Sequence, residues 1–189
     1  MSNNLDASDL LRVNVVGVSG SGKSWLSKRL ADQLGVTRVE LDRLFWGPDW
    51  TESEIPAFRG KVEAALQPER WVLDGNYHSK TRDIKWRNAT MVVWVDNSLP
   101  RTLWQALTRA INRIRTRKEL WPGTGNRETF RKTFLSTDSI LLWTIRMFYG
   151  VRRRYGELEA DHCDYDFRFV RLRGRKAVTA FLHEVEQLT

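Results

Sequence analysis

The sequence predicts an α/β fold in which helices cover both faces of a five-stranded parallel sheet. Short apolar runs typical of buried strands alternate along the chain with longer segments of helical periodicity. A glycine-rich turn joins the first strand to the first helix, and a length of 189 residues suits a single domain. With 41% hydrophobic and 29% charged residues, the composition is globular and excludes a disordered or fibrous chain.

The predicted elements follow in a regular order along the chain. Branched and aromatic apolar residues predict strands over residues 11–16, 36–41, 71–73, 91–95 and 167–172. Helical spacing predicts helices over residues 25–34, 52–67, 99–117 and 176–188. Gly35 is the expected C-cap of the first helix, and Pro100 falls in the first turn of the third. A further helical pattern between residues 130 and 148 places six apolar side chains on one face: Phe130, Phe134, Leu141, Leu142, Ile145 and Phe148.

The sequence also predicts a soluble, cytoplasmic protein. Residues 1–9 are polar and acidic and do not resemble a secretory leader. The most apolar stretch, residues 140–151, is interrupted by Arg146 and is too short to cross a bilayer. The single cysteine, Cys163, excludes an internal disulfide framework and is compatible with a reducing compartment.

A phosphate-binding motif follows the first predicted strand. Residues 17–24 read Gly-Val-Ser-Gly-Ser-Gly-Lys-Ser and match G-x-x-x-x-G-K-S at every defined position. The backbone N–H groups of such a loop bind phosphate at a helix N-terminus, the lysine bridges the outer phosphates, and the serine ligates Mg²⁺. We therefore predict a site for a nucleoside triphosphate and its metal, formed by Gly17, Ser19, Gly20, Ser21, Gly22, Lys23 and Ser24.

Three carboxylates follow predicted strands, where ligands of open α/β sheets bind. Asp74 precedes Gly75, which would let a substrate approach the backbone, and we expect Asp74 to act on the metal side of the site. Asp42 is the expected acid on the substrate side. Aspartates at such positions also commonly cap turns or helices, and this interpretation is favoured for Asp96.

The net charge of +8 is unevenly distributed. Residues 101–154 contain 13 basic and 3 acidic side chains, whereas residues 1–100 contain 13 of each. Arg109 and Arg113 lie four residues apart on one helical face, and Arg127 follows a loop containing Pro122 and two glycines. Two arginine-lined helices joined by such a loop predict a lid over residues 109–131, which would close on the phosphates and neutralise charge during transfer.

Two other interpretations of the basic segment stay open. One is a solvated basic face, which is favoured for Arg152, Arg153 and Arg154 because they show no phosphate-binding spacing. The other is a nucleic-acid surface, in which Trp104, Trp121 and Trp143 would offer stacking planes.

Taken together, these residues resemble the adenylate kinase-like branch of the P-loop kinases. The similarity is greatest to the bacterial proteins labelled DNA topology modulation or adenylate kinase-related proteins. It extends from about Arg12 to Leu182 and rests on residues 17–24, 41–46, 71–77, 93–96, 119–121, 125–128 and 169–173. The resemblance implies a P-loop NTPase three-layer sandwich with a substrate-side segment after the second strand and a helical, arginine-rich lid after the fourth.

The resemblance also implies roles for single residues. In adenylate kinases the third strand ends in an Asp-Gly whose acid lies near Mg²⁺, which corresponds to Asp74 and Gly75 here. The paired lid arginines correspond to Arg109 and Arg113, and the loop after the last strand would place Arg173 near the adenine. Adenylate kinases continue with Phe-Pro-Arg, where this sequence has Asn-Tyr-His at residues 76–78 and its nearest arginine at Arg82.

These observations predict an ATP- and Mg²⁺-dependent phosphotransferase acting on a small acceptor, for which a nucleoside monophosphate is one candidate. The expected catalytic residues are Lys23, Asp74, Arg109, Arg113 and Arg127. The expected acceptor-binding residues are Asp42, Gly75 and Arg82, and the expected metal ligands are Ser24 and Asp74. The alternative is an ATP-binding regulatory protein that binds nucleic acid through residues 101–154. The sequence indicates neither the acceptor nor the oligomeric state.

Overall fold

A five-stranded parallel sheet forms the centre of the protein, as predicted. The computed structural model describes residues 5–117, 119–128, 140–161 and 164–189, with backbone only at 140–143. The sheet order is β2-β3-β1-β4-β5, and each neighbouring pair is parallel. The strands are β1 (Arg12–Val16), β2 (Thr37–Glu40), β3 (Trp71–Asp74), β4 (Met91–Val95) and β5 (Arg168–Leu172).

Helices cover both faces of this sheet and give it three layers. They are α1 (Lys23–Leu34), α2 (Leu41–Phe45), α3 (Ile55–Ala65), α4 (His78–Asn88), α5 (Leu99–Thr116), α6 (Ile140–Ala160) and α7 (Gly174–Glu186). One buried cluster joins the sheet to Phe58 of α3, Trp86 of α4 and Tyr155 of α6. The other joins it to Leu30 of α1 and Phe181 of α7. Short 3₁₀ turns lie at Ala7–Leu10 and Pro48–Trp50.

Helix α4 and the short helix α2 are the elements that the sequence pattern does not predict. The inner face of α4 contains Thr81 and Lys85 beside Ile84 and Trp86, so no apolar stripe marks it in the sequence. Strand β2 ends at Glu40, before the predicted end at residue 41, and Asp42 therefore lies in the first turn of α2.

In the described part of the predicted lid segment (109–131), which is residues 109–117 and 119–128, only residues 109–116 are helical. Helix α5 ends at Thr116, where Arg117 takes a left-handed conformation. The expected second arginine helix does not include Arg127, whose backbone forms an isolated antiparallel bridge with Glu119. Gly123 and Gly125, in the loop that the sequence predicts before Arg127, have positive φ angles. Arg131, Phe130 and Phe134 lie outside the described residues. No helix in the described part of the chain is both long and apolar enough to span a membrane.

Candidate active site

The phosphate loop (residues 17–24) connects β1 to α1 at the carboxyl end of the sheet. Gly20 has a φ of +82°, and a Cβ there would lie 2.6 Å from the carbonyl oxygen of Thr102 on α5. Glycine is therefore required where α5 packs on the loop. Gly22, with a φ of +96°, caps α1 without a side-chain hydrogen bond, so no capping side chain competes with a ligand for the N–H groups at the start of this helix.

Two asparagines that sequence reasoning missed hold the phosphate loop in place. Asn76 accepts a hydrogen bond from the Gly17 N–H at 3.0 Å and donates one to the Gly17 carbonyl at 2.8 Å. On the other side of the loop, Asn97 donates to the carbonyl of Ser21 at 2.8 Å. Both contacts join residues more than 50 positions apart, so no local pattern marks them.

Arg109 reaches the phosphate loop from α5. Its Nη2 donates to the Ser19 hydroxyl at 2.9 Å. Burial lowers the pKa of this guanidinium, as does the neighbouring charge of Arg113, whereas the carboxylates of Glu128, Asp42 and Asp74 oppose that fall. The group therefore lies within electrostatic range of the acids on both sides of the site.

Lys23 and Ser24 begin α1, and both are half-buried. Within the described residues, the Lys23 ammonium makes no hydrogen bond or ion pair. It is therefore free to bind phosphate oxygens, as is typical of the lysine in this motif.

Asp74 ends β3 and is almost fully buried. Its Oδ2 accepts a hydrogen bond from Arg38 Nη2 at 2.6 Å, and Arg38 also donates to Ser27 on α1. The other oxygen, Oδ1, is buried and has no hydrogen-bond partner among the described residues. In nucleotide sites Mg²⁺ is bound by one or two carboxylates together with phosphates and water. An ion-paired carboxylate with one unused buried oxygen fits that requirement. In the same described residues, no three His, Cys, Asp or Glu side chains lie close enough to form a separate metal site.

Asp42 lies on the surface at the start of α2 and accepts a hydrogen bond from the Tyr77 hydroxyl at 2.9 Å. Burial raises the pKa of Tyr77, and the Asp42 charge raises it further, so the phenol stays a donor. Tyr77 has a φ of +34°, an unusual conformation for this residue type. The space beside Gly75 is filled by Leu41, whose Cβ would lie 3.0 Å from a Cβ at position 75. Gly75 therefore allows close packing of α2 and does not leave the open approach that its sequence context suggested.

The other predicted arginines occupy three different environments. Arg113 forms an ion pair with Glu128 at 2.7 Å, and the second oxygen of Glu128 is buried and has no hydrogen-bond partner among the residues that the structure describes. Arg127 is exposed. Arg82 is exposed on α4 and makes no hydrogen bond or ion pair within the described residues. The structure thus brings Arg109 to the phosphate loop. Arg113, one helical turn further along α5, is instead paired with Glu128.

A cavity of about 400 Å³ lies beside the phosphate loop, between β4 and the start of α7. Residues 96–98, Arg101, Arg152 and residues 173–174 line it. Buried Asp96 accepts hydrogen bonds from Arg171 at 2.6 and 3.0 Å and from Arg152 at 3.3 Å, and Arg173 lies 3.6 Å away. Asn97 contacts both this cavity and Ser21, so the cavity adjoins the phosphate site.

Comparison with known proteins identifies the fold. No protein-family model and no curated protein matches this sequence. A gluconokinase from Sinorhizobium meliloti aligns with a TM-score of 0.53 and 18% identity, over 95% of this chain and 93% of that one. A shikimate kinase from Acinetobacter baumannii, in complex with shikimate, aligns with a TM-score of 0.55 and 16% identity, over 95% and 92%. The chain has the fold of the P-loop kinases.

A sugar kinase from Janibacter has the same P-loop kinase fold, with a TM-score of 0.50 and 14% identity over 93% of this chain and 94% of that one. These similarities confirm the predicted α/β architecture. They do not confirm the closer relationship to adenylate kinases, which stays a prediction from sequence resemblance.

The basic segment of this P-loop kinase fold is partly neutralised by acids. Arg152 was expected on a solvated face, but its Nε lies 3.1 Å from Asp96 Oδ1, because β4 and α6 bring the two residues to the same cavity. Arg153 lies 3.9 Å from Glu157 on the exposed side of α6. Arg152 and Arg153 therefore each lie beside an acid, and the expectation of a fully solvated position is wrong for Arg152.

A buried lysine beneath the phosphate loop is expected to make stability depend on pH. Burial, together with the smaller effect of the Arg154 charge on α6, lowers the pKa of Lys85 to about 7. His78 and Tyr155 lie in the same region. Burial, followed by the charges of Lys85, Arg154 and Arg82, lowers the pKa of His78 to about 4, and burial raises that of Tyr155.

Because unfolding returns Lys85 to its ordinary pKa of 10.5, the unfolded chain binds one more proton between pH 7 and 10. The free energy of unfolding should therefore rise with pH in this window by about 1.4 kcal/mol per unit from this group. Urea unfolding at pH values from 7.5 to 9.5 measures this change in free energy, and Lys85→Met, which lacks the titrating ammonium group, is the reference. Equal slopes for the wild type and Lys85→Met would contradict the prediction.

Proposed function

We propose that the protein is an ATP- and Mg²⁺-dependent phosphotransferase that moves the γ-phosphate to a hydroxyl group of a small molecule. The observation that carries this proposal is the position of Arg109. Its guanidinium donates to Ser19 in the phosphate loop and lies within electrostatic range of Asp42 on the other side of the site. One cation can thus neutralise charge between a donor phosphate and an acceptor held near Asp42.

The donor side uses the phosphate loop and its surroundings. The backbone of residues 17–24 would bind the β- and γ-phosphates with Lys23, while Ser24 and Asp74 would hold Mg²⁺, which offsets phosphate charge when bound. Arg173 and the adjoining cavity would receive the base of ATP. Arg113 can bind a phosphate only after releasing Glu128, and Arg127 would join it when the lid segment closes.

The acceptor side uses Asp42 and the elements around it. A carboxylate within reach of a substrate hydroxyl can accept its proton as the oxygen attacks the γ-phosphorus, and Tyr77 orients this carboxylate by its hydrogen bond. We propose that Arg82 binds an anionic group of the acceptor where one is present. The structural neighbours include a gluconokinase, a sugar kinase and a shikimate kinase bound to shikimate, which supports a hydroxylated acceptor. A nucleoside monophosphate also carries hydroxyl groups and stays among the candidates.

The acceptor should be found by an ADP-release screen with Mg²⁺ and ATP. The panel should contain sugars and sugar acids, cyclic polyols, nucleosides and nucleoside monophosphates, and mass spectrometry should identify the phosphorylated product. Failure of every acceptor, together with DNA or RNA binding whose logarithmic affinity falls linearly with the logarithm of salt concentration, would overturn the proposal in favour of a nucleic-acid-binding protein.

Asp42→Asn is expected to lower kcat for the identified acceptor by about 10²–10⁴-fold, because the amide cannot accept the hydroxyl proton. The affinity for ATP should not change, since Asp42 lies on the acceptor side. Asp49→Asn is the matched control: Asp49 is exposed in the turn that follows α2, and asparagine tolerates its φ of +53°. Equal kcat values for the two variants would show that Asp42 takes no part in the reaction.

A further inference from the structure

Asn76 extends the sheet into the phosphate loop. Strands β1 and β3 pair up to Val15 and Asp74, and the Gly75 N–H donates to the Val15 carbonyl. One step further, the side-chain amide of Asn76 makes both hydrogen bonds of the Gly17 backbone. A single side chain thus replaces the strand partner of the first loop residue and sets where the loop leaves the sheet.

Two fully buried side chains from neighbouring helices hold Asn76 in turn. Lys85 of α4 donates from its Nζ to the backbone carbonyl of Asn76, and the hydroxyl of Tyr155 on α6 donates to Asn76 Oδ1 at 3.2 Å. Asn76 is therefore the point at which α4, α6 and the phosphate loop meet.

Burying Lys85 at this point destabilises the folded state. Lys85 has no exposed surface, and no carboxylate forms an ion pair with it among the described residues. A buried cation without an acidic partner destabilises the folded state, and an apolar side chain of similar length would fill the same space without that cost. Two contacts distinguish Lys85 from such a side chain: its hydrogen bond to the Asn76 carbonyl, and its ammonium 5.4 Å from the centre of the Trp86 ring. Of the two, only the first reaches the phosphate loop through Asn76.

We propose that Asn76 and Lys85 are positioning residues that hold the first glycine of the phosphate loop in the conformation that binds a nucleoside triphosphate. This inference rests on the proposed function in that ATP is taken to occupy the loop. Neither residue touches the phosphates; they act through the Gly17 backbone. Phosphate binding requires several backbone N–H groups to converge, and fixing the start of the loop in advance lowers the entropy lost when the ligand binds.

The test measures nucleotide affinity and stability on the same variants. Isothermal titration calorimetry with the Mg²⁺ complex of a non-hydrolysable ATP analogue gives Kd, and thermal unfolding gives Tm. Asn76→Ala is expected to raise Kd about tenfold, as two hydrogen bonds to Gly17 are lost. Lys85→Met is expected to raise Kd severalfold while its Tm stays equal to or above that of the wild type. Lys28→Met is the matched control, because Lys28 is an exposed lysine on α1 whose ion pair is with Asp32, another exposed residue.

The opposite response of affinity and stability separates a positioning role from a merely structural one. If Lys85 only supported the fold, Lys85→Met would lower Tm, and that result would overturn its assignment. An unchanged Kd in Asn76→Ala would overturn the proposal as a whole. This test also separates the inference from the proposed function. If the protein binds the analogue and its affinity changes in these variants, but it phosphorylates no acceptor, the positioning role stands and the phosphotransferase proposal is wrong. If the wild-type protein binds no nucleotide, both the positioning role and the proposed function are wrong.

Discussion

Replacing Lys23 by methionine is expected to lower kcat by about 10²–10³-fold and to leave the fold intact. The Lys23 side chain makes no hydrogen bond or ion pair within the described residues, so its removal breaks no contact there. What it removes is a positive charge at the start of α1, beside the position that the β- and γ-phosphates would occupy. Losing one preorganised charge of this kind typically costs two to three orders of magnitude in rate.

Steady-state kinetics with the acceptor found by ADP release provide the measurement. Lys28→Met removes a lysine from the same helix on its exposed side and should leave kcat within a factor of two or so of the wild type, because a solvated surface pair contributes little. Melting temperatures of both variants should match the wild type. Turnover that survives Lys23→Met would show that the phosphate loop is not where the reaction takes place.

The strands and the phosphate loop could be predicted because their signals are local. Strand β4 was predicted with its observed bounds, since all five of its residues are buried and apolar. Residues 17–24 form a motif whose spacing alone implies a strand, a turn and a helix. Helix α4 could not be predicted because its buried face includes the polar residues Thr81 and Lys85, which bond to the backbone carbonyls of Tyr77 and Asn76 at the start of the helix, so no apolar stripe marks it.

The position of a candidate residue could be predicted where the residue adjoins a strand or helix that the sequence marks. Asp74 ends β3, and its place at the carboxyl end of the sheet follows from the strand pattern. Its ion pair with Arg38, 36 residues away, and the contact of Asn97 with Ser21 depend on the order in which strands pair. The same holds for Arg152, since its proximity to Asp96 arises from β4 and α6 meeting at one cavity.

The largest expected effect on stability comes from Asp96. Its side chain is 3% exposed and lies among three guanidinium groups, those of Arg171, Arg152 and Arg173. Arg171 is also largely buried and stacks on Trp94 at 4.1 Å, with Glu159 as its only other acidic partner among the described residues. Removing the central carboxylate would leave the largely buried guanidinium of Arg171 without its main acidic partner, beside the more exposed cations of Arg152 and Arg173.

Asp96→Ala is therefore expected to lower the free energy of unfolding by about 3–5 kcal/mol, the cost typical of breaking a buried ion pair from one side. Urea unfolding at neutral pH measures it. Asp96 also lines the cavity beside the phosphate loop, so the variant should bind ATP more weakly in the same preparation. Asp96→Asn keeps the shape of the side chain and should lose less stability, because the amide oxygen can still accept a hydrogen bond from Arg171.

Asp83 supplies a control with matching geometry and different burial. Its two carboxylate oxygens accept from Arg59 at 2.9 and 2.6 Å, but its side chain is 52% exposed. Exposed pairs contribute at most about 1 kcal/mol, since water and salt screen both partners, so Asp83→Ala should cost no more than that. If the two alanine substitutions lowered the free energy of unfolding equally, burial would not explain the strength of the ion pairs around Asp96. A loss confined to Asp96 would show that this buried acid stabilises β4 against β5 through Arg171, and that the same charge holds Arg152 and Arg173 at the cavity.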